Sequence, residues 1–174
     1  MPNLLFIQGH IQDVDQLSWL SREFFQESLM KSSTEEIADS IDRLFSRVAI
    51  MDELNDPDTE HWIIQLESKG IGYLRIKQNK PERQSACLDR LILLQAYWTK
   101  ERLESLLTFA EYRTEKLGML KLFIAGWQVL HPAAKAFEQL GYKLSNTPTS
   151  DNLDSLPLKP QRFVKSVSMA NASS

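Results

Sequence analysis

Few residues in this sequence are placed to do chemistry. A helix start is readable at Thr99, a hydroxyl in the capping position followed by Lys100, Glu101, Arg102 and Leu103. Backbone N–H groups at such a start favour an anion, and Lys100 and Arg102 add a cation on either side. Glu101 falls in the first turn, where its own carboxylate answers the helix dipole by roughly 0.3–1 kcal/mol. Trp98 stands just before the cap, an indole able either to fill a pocket entrance or to stack on a flat ring. The single cysteine, Cys87, opens an apolar run and has no His–Asp arrangement to activate it, so it reads as a small core residue. His10, His61 and His131 are dispersed without ligand spacing, and the acidic run 52–60 lacks the glycine of a calcium loop and reads as a solvated turn. No metal site is expected.

The elements that must hold these residues come from the periodicity. At 174 residues the chain reads as one domain over 1–169 with a frayed tail over 170–174, large enough to bury roughly 70% of its unfolded surface. A net charge of −3 and no basic stripe with interleaved aromatics argue against a nucleic-acid partner. The N-terminus lacks the basic and apolar blocks of a signal peptide, and no run approaches the ~18 apolar residues of a membrane span. A cytoplasmic location with no membrane partner is the expectation.

In chain order, 4–7 is a short apolar run closed by Gly9 and reads as a first strand. Asp13 with Gln16 gives a helix start, and the spacing predicts a helix over 14–29. Ser33 with Glu36 opens a second helix, whose apolar face runs through Ile37, Ile41, Leu44, Phe45 and Val48 and whose end falls between Phe45 and Leu54. Runs 61–67 and 71–77 flank Ser68-Lys-Gly70, which predicts a hairpin with a three-residue loop and glycine at positive φ. In its second arm Ile71, Tyr73, Arg75 and Lys77 alternate with Gly72, Leu74 and Ile76, so one face reads as buried and the other as partly wet. Then come a strand over 87–94, a helix from Thr99 to Gly118, a strand over 120–127, a helix over 132–140 closed by Gly141, a strand from Tyr142, a long loop over 146–160 and a last strand over 162–169. Strand, helix, strand, helix in the second half requires a partly parallel sheet with helices on its faces, an α/β or α+β chain with a mixed sheet and about four helices.

This order, together with the segment 88–107 and with Phe137-Glu-Gln-Leu-Gly-Tyr142, resembles the GNAT superfamily of acyl-CoA-dependent N-acyltransferases over essentially the whole chain. In that family a central strand is followed by Arg/Gln-x-x-Gly-x-Gly/Ala, whose backbone N–H groups hold the pyrophosphate of coenzyme A. Aligned without a gap from Leu88, the three motif positions are here Trp98, Glu101 and Leu103. A carboxylate ~4 Å from a phosphate oxygen costs on the order of 4 kcal/mol at an effective dielectric near 20.

The resemblance implies an N-acyltransferase using acetyl-CoA or another acyl-CoA as co-substrate, by direct attack of a small-molecule or protein amine on the thioester. The backbone of Leu93 and Leu94 would orient the acyl-pantetheine. Trp98, Thr99, Lys100 and Arg102 would border the phosphates, and Asp89 would take the amine proton directly or through water. His131, in His131-Pro-Ala-Ala, would bond the pantetheine or act on a proton. The tyrosine that protonates the departing thiolate in many relatives is Phe137 here. Loss of the glycines and this tyrosine points to a second reading, a GNAT-shaped binding or regulatory module without catalysis. Relatives often pair through their last strands, so a homodimer is a further expectation.

Overall fold

A computed structural model of the chain describes residues 3–32, 34–79, 84–127, 131–146, 156 and 160–167. The strands are β1 (Leu5–Gln8), β2 (Thr59–Leu66), β3 (Lys69–Gln78), β4 (Ser85–Leu93), β5 (Lys121–Trp127), β6 (Lys143–Ser145) and β7 (Pro160–Ser166). The helices are α1 (Val14–Leu29), α2 (Glu35–Leu44), α3 (Arg47–Leu54), α4 (Lys100–Lys116) and α5 (His131–Gln139). All seven strands form one sheet in the order β1-β2-β3-β4-β5-β7-β6. Among the described residues only β4 and β5 pair in parallel, with α4 as the crossover between them. The expected mixed sheet is present.

Helices cover the two faces from opposite sides. The Ser21 hydroxyl of α1 lies 2.8 Å from the Tyr73 hydroxyl of β3, so α1 and α3 cover the face that carries His61, Ile63, Tyr73 and Arg75. Phe109 of α4 stacks on Phe6 at 4.0 Å and meets Trp62 edge-on at 5.0 Å, which places α4 on the opposite face. Between them lies a continuous core including Phe25, Phe45, Leu74, Leu103, Leu106 and Ile124. Among the described residues no helix is long and apolar enough to cross a membrane.

Several local expectations are met. Helix α1 occupies 14–29, and Gly118 and Gly141 end their helices at φ +73° and +89°. Others change for visible reasons. Asp13 does not cap α1; its carboxylate turns back to accept from the His10 N–H at 2.8 Å. Thr34 caps α2 by accepting from the Ile37 N–H, and Ser33 lies outside the described residues. The second helical stretch divides at Phe45, which is fully buried and stacked on Phe25 at 4.7 Å, and Ser46 caps α3 through the Ala49 N–H. Burying Phe45 thus costs helical continuity, and the Ser46 cap restores a start.

The hairpin is tighter than expected. Leu66 pairs with Lys69 across a two-residue turn with Glu67 at φ 50° and Ser68 at φ 66°, the primed geometry that suits the strand twist. Gly70 is instead part of β3, where a Cβ would lie 2.0 Å from the Gln16 side chain. The long loop over 146–160 and the tail fall almost wholly outside the described residues; Leu156 is buried.

Two features of β4 prepare a site. Its ladder with β3 shifts register between Arg75 and Ile76, so Asp89 is an extra residue bulged between Leu88 and Arg90. Its pairing with β5 covers only Ser85–Leu88 against Lys121–Ile124. Beyond that point β4 continues for five residues and β5 for three without pairing to each other. Gly72 of β3, opposite Leu93, permits close backbone approach there, since a Cβ would sit 2.1 Å from the Ile92 carbonyl oxygen. Replacing Gly72 by alanine should therefore destabilise the protein by about 1–3 kcal/mol, read as a lower urea midpoint; an unchanged midpoint would mean the backbones do not meet this closely.

Candidate active site

The gap between β4 and β5 begins at Asp89. Leu94 donates its N–H to the Ile71 carbonyl at 3.0 Å, so its amide points toward β3. Amide directions alternate along a strand, and Leu91 and Leu93 therefore turn theirs toward the gap. Of the two backbones expected to orient a thioester, Leu93 faces the gap and Leu94 faces away.

Asp89 is not a free carboxylate. Both its oxygens accept from Arg75, at 2.8 Å from Nε and 2.7 Å from Nη2. Arg75 also reaches Glu53 of α3 at 2.5 Å, and Arg90 reaches the other Glu53 oxygen at 3.3 Å while donating to the Asp89 carbonyl at 3.0 Å. His61 Nε2 lies 3.9 Å from Glu53. The bulge makes this possible, because it turns Asp89 and Arg90 to the same face opposite Arg75. Two carboxylates and two guanidiniums balance in charge, as burial of this depth requires.

The start of α4 lies at the end of β4, and its polar groups are largely engaged. The Thr99 hydroxyl accepts from the Arg102 N–H at 3.2 Å. Arg102 folds its guanidinium back onto the Tyr97 carbonyl at 2.9 Å and over the Tyr97 ring. Glu101 is fully exposed, and hydrogen bonds from its own N–H and the Thr99 hydroxyl, with the Lys100 and Arg102 charges, hold its carboxyl below the usual range. Glu101 is thus a first-turn carboxylate, whose charge favours the helix N-terminus. Lys100 is exposed. Trp98 donates its indole N–H to the Leu93 carbonyl at 2.5 Å, which spans the outer end of the gap. Leu103 is buried in the core.

Phe137 is buried against Tyr142 and Phe163 in an aromatic cluster. His131 is the first residue of α5, and its side chain lies outside the described residues. The residues that sequence reasoning missed are Glu53, Arg75 and Arg90. Arg75 looked half wet, yet its face is covered by α1 and α3, and only the two lysines near its ends, Lys69 and Lys77, are exposed. The acidic run is not a solvated turn throughout: Glu53 enters the buried cluster, and Glu60 pairs with Arg113 at 2.7 Å. The available signal was Asp89 itself, since a carboxylate inside an apolar strand demands a cation nearby.

Burial pushes the Glu53 carboxyl up, but His61 and the two guanidiniums outweigh it and bring the value down to about 2. At 3.9 Å the His61 contact is longer than a hydrogen bond, so the arginines carry most of this. An unfolded glutamate titrates near 4.5. Between these values the unfolded chain binds more protons, so stability present above about 4.5 is lost as the pH falls toward 2, on the order of 3 kcal/mol. Glu53→Gln should flatten this limb in urea unfolding between pH 5 and 2.5; an unchanged limb would show that Glu53 is not the group responsible.

No protein-family model matches the sequence, and a search of curated proteins finds no match. Solved structures do resemble it. The PaiA N-acetyltransferase from Thermoplasma acidophilum in complex with coenzyme A aligns at 21% identity over 94% of this chain and 99% of its own, with a TM-score of 0.75. An acetyltransferase of the GNAT family from Staphylococcus aureus aligns at 9% identity over 95% and 100%, with a TM-score of 0.69. The spermidine/spermine N-acetyltransferase SpeG from Vibrio cholerae aligns at 13% identity over 94% and 93%, with a TM-score of 0.64. With the parallel β4–β5 contact opening at the bulge and α4 starting beside it, the chain has the fold of the GNAT N-acetyltransferases.

Proposed function

We propose that this protein is an N-acyltransferase that moves an acyl group from a thioester to a small-molecule or protein amine by direct attack. The observation that carries this reading is the gap itself: β4 leaves β5 at Leu88, a carboxylate stands at the point of parting, and the Leu91 and Leu93 amides turn into the opening. Among the described residues β5 does not pair with these amides, and although the Leu93 carbonyl takes the Trp98 indole, unpaired strand amides suit an extended amide-bearing ligand, which a pantetheine arm is.

Coenzyme A, the donor the fold implies, meets a mixed fit. The gap suits its pantetheine arm. The α4 start does not suit its diphosphate, because Glu101 holds a negative charge there and Arg102 is turned away onto Tyr97.

The residues divide the work as follows. A backbone N–H in the gap, from Leu91 or Leu93, donates to the thioester carbonyl and stabilises the charge that develops on its oxygen. The amine nitrogen bonds to that carbon, the C–S bond breaks, and the thiolate departs. Asp89 receives the amine proton through water, since Arg75 occupies one lone pair on each of its oxygens and leaves the others. Phe137 has no hydroxyl, so the thiolate takes its proton from solvent. In this scheme Arg75 and Glu53 are positioning residues that fix the carboxylate at the bulge.

A second reading, a GNAT-shaped module that binds a ligand without catalysis, is favoured by Glu101 at the helix start and by Phe137. Thiol release from a panel of acyl thioesters in the presence of varied amines separates the two. Turnover that falls at least a hundredfold in kcat on Asp89→Asn, with the far-ultraviolet spectrum and melting midpoint still those of a folded protein, supports the enzyme. Binding without turnover for any donor and amine supports the module.

A further inference from the structure

We propose that the donor used by this protein is an acylated pantetheine thioester that carries no nucleotide diphosphate. This rests on the acyltransferase reading and specifies its substrate class. A pantetheine arm lying along the Leu91 and Leu93 amides, with its thioester near Asp89, leaves the gap at the end of β4. There the next element is the α4 N-terminus, where a diphosphate would draw on bare N–H groups and the helix dipole. In this chain that place is answered from within.

Four features of the α4 start do so, linked through Thr99 and Arg102. Glu101, exposed in the first turn of α4, puts its own negative charge at the helix N-terminus. The Thr99 hydroxyl takes the Arg102 N–H at 3.2 Å. The Arg102 guanidinium, the cation that could neutralise a diphosphate, is bonded to the Tyr97 carbonyl at 2.9 Å. The Trp98 indole is tied to the Leu93 carbonyl at 2.5 Å and stands across the route a nucleotide would follow outward. None of these touches the Leu91 amide or the Asp89 side chain at the inner end of the gap. The structure therefore keeps the part of the site that a short arm needs and closes the part that a nucleotide needs.

A pantetheine thioester without a nucleotide comes either as a small molecule or as the phosphopantetheine arm of a carrier protein, where one phosphodiester charge replaces the diphosphate. Exposed Lys100 suits a single charge of that kind.

The test compares S-acetyl-pantetheine, an acetylated phosphopantetheinyl carrier protein and acetyl-CoA on the intact protein, by calorimetry and by thiol release to an amine. The expected result is that acetyl-pantetheine, the carrier, or both bind at least tenfold more tightly than acetyl-CoA, a difference of about 1.4 kcal/mol. Preference for the carrier over the free thioester would identify the source as a protein, and equal affinity would identify it as a small molecule. Glu101→Gln, at an exposed position that cannot disturb the core, should shift the acetyl-CoA to acetyl-pantetheine affinity ratio about tenfold toward acetyl-CoA. Acetyl-CoA binding as tightly as acetyl-pantetheine, or a ratio unmoved by Glu101→Gln, overturns the inference and leaves the acyltransferase reading standing. If none of the three donors binds, both fall.

Discussion

The fold turns on one extra residue in a strand. With Asp89 inserted, β4 keeps its antiparallel ladder to β3 along its full length but cannot stay beside β5. A bulge strengthens local twist and turns two successive side chains to one face. Both effects are used here. The twist opens the sheet, and the shared face brings Asp89 and Arg90 against Arg75 and Glu53. An apolar residue in the inserted position would allow the opening without this buried polar cluster. As it stands, the opening and the ion cluster are two results of the same insertion.

Most of the architecture was legible because it rests on periodicity and punctuation. The strand–helix–strand–helix unit, the start of α4 at Thr99 and the ends at Gly118 and Gly141 follow from apolar spacing, a capping hydroxyl and residues that tolerate positive φ. What could not be read depended on partners distant in sequence. Phe45 divides a helix because it packs on Phe25, and Arg75 is dry because α1 and α3 lie over it. Gly70 looked like a turn residue, yet Glu67 and Ser68 take positive φ and the glycine instead makes room for Gln16. Local chemistry offered both answers, and packing chose.

The candidate site shows the same division. Glu101 answering its own helix was readable from position alone, and Glu101 stands in the first turn of α4 as that rule expects. That Trp98 would reach back to the Leu93 carbonyl, or that Arg102 would turn to Tyr97, depends on the path of residues 94–99, which no periodicity describes. The placement of Asp89 in the central strand was visible, while its ligation by Arg75 required knowing that Arg75 lies opposite the bulge. The polar contacts that close the outer end of the gap lie within a few residues of one another, whereas those that fix Asp89 join α3, β3 and β4.

The first four strands in the chain are also the first four in the sheet, and Glu53, Arg75, Asp89 and Arg90 all lie in the chain before α4. The β1–β4 half thus leaves the ribosome before α4 and β5 do, with the charges of Glu53, Arg75, Asp89 and Arg90 free to pair. During that interval the far side of β4 is a bare border, and the growing chain itself supplies the strand that covers its first four residues.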